Sequence, residues 1–179
     1  MFKNRLMLLL SIALLLLLIV PYAFAEDNET VSLASNSTLT DSNDIYFDVN
    51  ASNDHGEGTP ESPYRQLRDG RILEDSVVHL KNGEYDYDPE NSHDNVNFIG
   101  QDTSKTVIKG SGGVLEVNEK ITLTNLTVFN LNIHSSGELV ATNVIFTGSS
   151  GEYGGAICSD DSFGKVYLRN CTFINNHAD

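Results

Sequence analysis

The sequence predicts an all-β solenoid, in which short strands stack coil upon coil. From Val96 onward, short β-branched runs alternate with Asn, Gly and Ser, and none of them shows helical periodicity over a useful length. Within this region a six-residue block recurs at a spacing typical of solenoids. These two observations together favour repeated coils over a β-sandwich.

The repeat consists of three blocks, which begin at Leu123, Ala141 and Leu168. Each block has an aliphatic residue, a polar residue, Asn, and then an apolar residue or Cys. Alternate residues of each copy are expected to point inward and stack on their equivalents in the next coil. An Asn at a fixed corner tolerates left-handed backbone and can hydrogen-bond along its own column, so we predict repeat corners at Asn125, Asn143 and Asn170.

The chain begins with the features of a secretory signal peptide. Two basic residues among the first five precede an apolar block, Leu6–Val20, which ends at Pro21. Small residues stand three and one positions before Glu26. We therefore predict that residues 1–25 form a signal peptide helix, that cleavage falls between Ala25 and Glu26, and that the protein is secreted or lies at the cell surface. An uncleaved anchor is the alternative, because the apolar stretch approaches the roughly 20 residues that span a bilayer.

Three further segments follow the signal peptide. Residues 26–44 are rich in Asn, Ser, Thr and acidic residues and read as a flexible polar spacer. Residues 45–95 are predicted to form an N-terminal cap with the first strands, and residues 96–179 the coils. Ser62-Pro63 is a helix-start signal, so a short capping helix is expected across Arg65–Glu74, weakened by Gly70. The acidic run Glu84–Glu90 reads as a solvated loop.

The predicted strands are short runs bounded by turn-forming residues. They lie at Ile45–Val49, Val77–Leu80, Val96–Ile99, Thr106–Ile108, Val114–Val117, Ile121–Phe129, Asn132–His134, Glu138–Phe146, Ala156–Cys158 and Val166–Ile174.

The charge of the chain excludes one class of partner. The formal net charge is −14, and removal of the signal peptide leaves nine basic against 25 acidic residues. So acidic a surface repels phosphates, which excludes nucleic acid as a ligand and suits an extracellular protein. Only two cysteines occur, so the chain is not a disulfide scaffold. Cys158 and Cys171 are interpreted as buried strand thiols, with one disulfide between them left open.

Asn-x-Ser/Thr sequons indicate where an exported chain can carry glycans. Asn28 and Asn36 lie in the polar spacer and are the plausible acceptors. Asn125 and Asn170 also begin sequons, but a structural role at the repeat corner is the favoured interpretation there.

Two sets of motifs resemble known families. Gly154-Gly155-Ala156-Ile157 followed by Phe173, Ile174, Asn175 and Asn176 resembles the GGA[ILV] and FxxN repeats of chlamydial polymorphic outer-membrane proteins and of adhesin-like proteins of methanogenic archaea. Tyr46–Val49, Gly58-Thr59 with Ser62–Tyr64, and Val77–Tyr85 are similar to the opening of pectate-lyase-like β-helices. The resemblance implies a right-handed single-stranded parallel β-helix with a role in surface adhesion. A repeat strand directly precedes Asp179, which suggests a β-helix incomplete at its C-terminus, an N-terminal fragment of a longer protein.

Catalysis is not predicted. The polysaccharide lyases of the β-helix families need clustered carboxylates and a base, whereas Glu116, Glu138, Lys165 and Arg169 share no register that would bring carboxylates together on one face. The histidines show neither metal spacing nor a Ser or Cys partner motif. No cofactor or metal site is predicted, apart from weak Ca²⁺ binding at the acidic turns.

The sequence therefore predicts an adhesin-like glycoprotein that binds surface glycans or proteins of other cells or of the matrix. It would meet a membrane only through its signal segment or a downstream anchor. A secreted carbohydrate-active β-helix protein, lyase-like or hydrolase-like with its catalytic coils downstream, and a structural coat protein are the alternatives.

Overall fold

The structure, a computed structural model, describes residues 43–52, 55–67, 71–88, 94–159 and 162–179. The described residues are all-β, and their strands pair in parallel. The predicted signal peptide with its cleavage site, Asn28, Asn36 and nearly all of the spacer lie outside the described residues. In the described part of the chain, no helix is long and apolar enough to cross a membrane.

Fourteen strands are found in these residues. They are β1 (Asp44–Phe47), β2 (Val77–Leu80), β3 (Gly83–Asp86), β4 (Val96–Gly100), β5 (Thr106–Lys109), β6 (Val114–Val117), β7 (Lys120–Phe129), β8 (Asn132–Ser135), β9 (Glu138–Thr147), β10 (Ser150–Gly151), β11 (Ile157–Ser159), β12 (Lys165–Arg169), β13 (Thr172–Ile174) and β14 (His177–Ala178).

The strands form three parallel rows and a short pair. The first row contains, in order, β1, β2, β4, the first half of β7, the first half of β9 and β12. In the second row the order is β3, β5, the second half of β7, the second half of β9 and β13. The third row is β6, β8 and β11, and β10 pairs with β14. The chain therefore returns to the same rows in the same order.

Left-handed residues separate the first row from the second. Within β7 and β9, pairing is interrupted at Asn125 and Asn143, whose φ angles are both 55°. Five positions further on, Asn130 and Gly148 have φ angles of 50° and 69° and end the second row. Asn and Gly reach this region at low steric cost, which is why these residue types stand at both bends.

The rows share one apolar interior. Alternate residues of β2, β4, β5 and β6 and of most of β7 and β9 are buried, and one small interior space is lined by Phe98 from the first row, Ile108 from the second and Leu115 from the third. Stacked aliphatic and aromatic side chains of successive strands fill the rest of this interior. Burial of apolar surface between the rows is therefore the main stabilising term, at about 25 cal/mol per Å².

Two sequence-based expectations for the N-terminal region are wrong. Residues 62–67 and 71–74 contain no α-helix where the capping helix was expected, because Tyr64 instead forms a parallel bridge to Phe47. The expected loop at Glu84–Glu90 begins instead as part of strand β3. Tyr85 and Tyr87 are buried while Glu84, Asp86 and Asp88 are exposed, which is the alternation of a strand.

Candidate functional site

The three corner asparagines form one hydrogen-bonded column. Asn143 Nδ2 donates to Asn125 Oδ1 at 2.9 Å, and Asn170 Nδ2 donates to Asn143 Oδ1 at 2.6 Å. Asn170 has the same left-handed backbone as the other two, with φ at 52°. The column fixes the bend between the first and second rows and thereby the faces on either side of it.

Phe173 and Asn176 join the last described strands to the preceding ones. The Phe173 ring stacks on Phe146, with centroids 4.9 Å apart and planes 14° from parallel. Asn176 Nδ2 donates to the Phe146 carbonyl at 2.9 Å, and Asn176 Oδ1 accepts from the Ser149 amide at 3.0 Å. Phe173 and Asn176 therefore contact the same preceding segment, which contains Phe146 and Ser149. Phe173 does so by ring stacking, and Asn176 by two side-chain hydrogen bonds.

Gly154, Gly155 and Ala156 form a tight turn before β11, which begins at Ile157. The side-chain amide of Asn132, which is buried, donates to the Gly154 carbonyl and, at 3.3 Å, to the Gly155 carbonyl. A Cβ at Gly155 would lie 2.8 Å from the His177 backbone, so this approach excludes larger residues. The turn positions β11 beside β8.

The outward side of the first row carries a short charged column, Lys120, Glu138 and Lys165, and beside it two longer columns of side chains, which are called the outer face below. The first column is Asp44, Val77, Asn97, Thr122, Val140 and Tyr167, and the second is Tyr46, His79, Ile99, Thr124, Thr142 and Arg169. The members on β4, β7 and β9 are all uncharged and partly exposed. Charges stand only at the ends, where His79 lies 3.0 Å from Asp44 and stacks on Tyr46, and where Arg169 is exposed.

Sequence reasoning missed this face because the columns depend on register. The residues of one column lie 18 to 27 positions apart in the last coils, and only strand pairing shows that they are neighbours. The alternation Thr122-Leu123-Thr124 was the local signal that could have indicated an outward hydroxyl-bearing face.

Two lengthened bends, one between the second and third rows and one between the third and first rows, carry the most exposed aromatic residues of the described part of the chain. Phe129 on β7 and Ile133 on β8 are four positions apart in the sequence. Their register partners in the next strands, Thr147 on β9 and Ile157 on β11, are ten positions apart. The additional residues include Tyr153, whose exposed fraction is 82%. Another lengthened bend, between β11 and β12, carries Phe163 at 79%.

The two glutamates considered for catalysis stand on different rows, and each has its own basic neighbour. Glu138 lies between two lysines in register, Lys120 and Lys165, and its carboxylate is 2.7 Å from Lys120 Nζ. The hydrogen bond from Lys120 lowers the pKa of Glu138, against a smaller opposing effect of burial. Glu116 stands on the third row, where its carboxylate is 2.9 Å from Nδ1 of His134. Arg169 ends a column of the outer face beside Thr142.

The described residues contain no group of three or more His, Cys, Asp or Glu side chains that could hold a metal ion. Cys158 and Cys171 are free thiols and are half-buried, whereas buried positions were expected. They do not form the disulfide that the sequence left open, because Cys158 lies on the third row while Cys171 follows β12 of the first row.

Comparisons with known proteins found no matching family model, no matching curated protein and no matching solved structure.

Proposed function

We propose that this chain is exported and folds as a right-handed single-stranded parallel β-helix, a solenoid whose outer face mediates attachment as in an adhesin. The parallel, in-register pairing of successive strands supports the solenoid. Equivalent residues recur 18 positions apart between β7 and β9 and 27 positions apart between β9 and β12. Right-handedness rests on the strong preference of parallel crossover connections for that hand.

The observation that carries the attachment function is the outer face, whose members on β4, β7 and β9 are uncharged although the charged column Lys120, Glu138 and Lys165 lies beside them. A chain of net charge −14 would be expected to place acidic side chains on a large exposed sheet. Instead the columns on β4, β7 and β9 hold Thr, Asn, Val and Ile. Side chains without charge can approach a neutral partner without desolvating ions, which is costly.

The partner that fits this face is an uncharged glycan or protein surface on another cell or in the matrix. Threonine hydroxyls donate and accept hydrogen bonds, and Val and Ile methyl groups supply apolar contact. Tyr153 and Phe163 at the lengthened bends provide exposed aromatic rings of the kind that dominate binding surfaces. Export requires the segment before Glu26 to act as a signal peptide, and Asn28 and Asn36 then become glycan acceptors.

A charge substitution on the outer face tests this proposal. Thr122→Lys places an ammonium between Asn97 and Val140, which are both uncharged. Val114→Lys is the matched control, since Val114 is exposed on the third row. Both variants are displayed on beads, and adherent cells or immobilised neutral glycans are counted against beads that carry the unaltered chain.

We expect Thr122→Lys to reduce attachment by about tenfold or more, which corresponds to ~1.4 kcal/mol, and Val114→Lys to leave attachment unchanged. Equal attachment by the two variants would show that the outer face does not mediate attachment. If the unaltered chain attaches no better than bare beads, the protein is a coat component and not an adhesin.

A further inference from the structure

The third row carries a chemically distinct line of side chains on its outward side. Glu116 on β6, His134 on β8 and Cys158 on β11 are partners in register. Their neighbours along the strands, Leu115 and Ile133, are buried, so the line itself faces outward. Adjacent strands lie about 4.8 Å apart, so each of the three side chains stands beside the next.

The imidazole is held by its carboxylate neighbour. His134 Nδ1 lies 2.9 Å from Glu116 Oε2, and an ionised carboxylate can only accept, so Nδ1 carries the proton. Nε2 of the neutral ring then holds the lone pair. Because β8 is the middle strand of the row, Glu116 and Cys158 flank His134 from opposite sides. Thiol, imidazole and carboxylate thus follow one another in the order of an activated nucleophile, its base and the group that orients the base.

The position of Cys158 is set by the turn that precedes it. Asn132, adjacent to Ile133 on β8, holds the Gly154 and Gly155 carbonyls through its side chain. A Cβ at Gly154 would approach the Cys158 Cα to 3.3 Å, so the turn packs directly on the backbone of this cysteine. The thiol is half-buried and is not engaged in a disulfide.

We propose that Cys158 is a nucleophilic thiol that undergoes thiol–disulfide exchange with an uncharged or cationic disulfide, with His134 as the proton acceptor and Glu116 as a positioning residue. His134 Nε2 takes the proton of Cys158 Sγ. The thiolate attacks one sulfur of the incoming disulfide, so a Cys158–sulfur bond forms and the original sulfur–sulfur bond breaks. The leaving thiolate takes the proton back from the imidazolium, and the products are a mixed disulfide and one free thiol.

The chemistry of the line favours a disulfide over an ester or amide. Exchange needs a thiolate with solvent access and a leaving group, and it passes through no oxyanion. Acyl transfer requires preorganised hydrogen-bond donors for the oxyanion. None of the three side chains in the line can donate a hydrogen bond to an oxyanion. The carboxylate is an acceptor, the imidazole N–H is already directed to that carboxylate, and the thiol is the nucleophile. An uncharged or cationic reagent is specified because the chain is strongly acidic.

The second free cysteine supplies a matched comparison. Cys171 is half-buried like Cys158, but its Sγ lies 3.4 Å from the Ala141 carbonyl oxygen, and the neighbouring strand β9 contains no histidine. The full chain carrying Cys171→Ser leaves Cys158 as the only thiol, and Cys158→Ser leaves Cys171. Both are mixed near neutral pH with dithiodipyridine, an uncharged disulfide whose released thiopyridone is followed by absorbance.

We expect Cys158 to react about tenfold faster than Cys171. In the Cys171→Ser background, His134→Gly should lower the rate by about tenfold, less than the roughly 100-fold contributed by an enclosed general base. Added imidazole should restore the rate of His134→Gly, which a merely structural histidine would not allow. Glu116→Ala should lower the rate and move the His134 proton to Nε2 in nitrogen NMR spectra, whereas Glu116→Gln retains an acceptor oxygen and stays closer to the unaltered chain.

Equal rates for Cys158 and Cys171, or a His134→Gly rate that is unchanged or that imidazole does not restore, overturn the proposal. If His134→Gly fails to fold, the Glu116 variants and the NMR signal of His134 in the unaltered chain decide the question alone. A proton on Nε2 in the unaltered chain counts against it. The reactivity of Cys158 does not depend on whether the outer face binds a ligand. Either proposal, attachment or thiol–disulfide exchange, can therefore be refuted while the other stands.

Discussion

Substitution of Asn143 probes the bend between the first and second rows of strands. Its side chain donates to Asn125 at 2.9 Å and accepts from Asn170 at 2.6 Å, and its backbone is left-handed with φ at 55°. Asn143→Ala removes both side-chain hydrogen bonds, each worth about 0.5–1.5 kcal/mol net. It also puts alanine in a region that costs a residue with Cβ about 1 kcal/mol or more. The expected loss in the free energy of unfolding is therefore about 2–4 kcal/mol.

Asn143→Gly separates the two contributions. Glycine adopts positive φ without steric cost but cannot join the column, so this variant should be about 1 kcal/mol more stable than Asn143→Ala. Thr142→Ala is the neighbouring control, since this side chain faces outward in the same strand, and it should cost no more than about 1 kcal/mol. Urea unfolding followed by circular dichroism measures all three. If Asn143→Gly is as unstable as Asn143→Ala, the left-handed backbone is not the reason for Asn; if both resemble Thr142→Ala, the column contributes nothing.

Three further predictions concern the interior and use the same unfolding measurement. Tyr85→Phe should cost about 1–2 kcal/mol because the buried hydroxyl lies 2.9 and 3.2 Å from two backbone carbonyl oxygens. Burial raises the pKa of Tyr85 to about 12. The contribution of Tyr85 to the free energy of unfolding should therefore be complete below the unfolded pKa near 10 and disappear as pH rises toward 12. If the same loss of stability between these pH values persists in Tyr85→Phe, this assignment is wrong. Phe146→Ala should lower the free energy of unfolding by about 3–5 kcal/mol and Phe173→Ala by less than half as much. The reason is that Phe146 is fully buried whereas Phe173 is 48% exposed. Equal losses would mean that Phe173 belongs to the core. Ser149→Ala should cost about 1–3 kcal/mol, since its buried hydroxyl accepts from the Leu131 amide and donates to the Leu131 carbonyl, and an unchanged stability would mean that water replaces it.

Local chemistry was enough to predict several strands and bends of this all-β chain. The sequence-based strand limits at Val77–Leu80 and Val114–Val117 coincide with β2 and β6. Asn and Gly at fixed distances predicted bends because few other residues adopt positive φ at low cost. These features depend on a residue and its immediate neighbours, and they can therefore be read without knowledge of pairing.

The N-terminal errors came from competing local signals. Ser62-Pro63 is a valid helix start, but the tertiary bridge from Tyr64 to Phe47 outweighs a weak helix containing Gly70. The acidic run around Tyr85 was interpreted by its charge, whereas its period of two was the more informative property. Charge predicts which side of a strand meets water, and it does not predict that a strand is absent.

The line of Glu116, His134 and Cys158 could not be predicted from sequence, because its members become neighbours only through register. Glu116 and His134 are separated by 18 positions and His134 and Cys158 by 24, so no single repeat length connects all three. A shift of one residue in the pairing of β11 would turn Cys158 into the interior and bring a different side chain to His134. Sequence motifs with fixed spacing do not detect such a site.

The unequal repeat lengths show where this architecture can accept change. Between β9 and β12 the repeat is 27 positions, nine more than between β7 and β9, yet the stacked residues on both sides stay in register. The extra residues are accommodated entirely at the bends before and after β11, where Tyr153 and Phe163 are exposed. Stacking fixes the strands, because a slip there would expose apolar side chains, while a bend can lengthen at an entropic cost that grows only slowly with its length. Insertions and deletions should therefore be tolerated mainly at the bends, and the stacked strands should accept few.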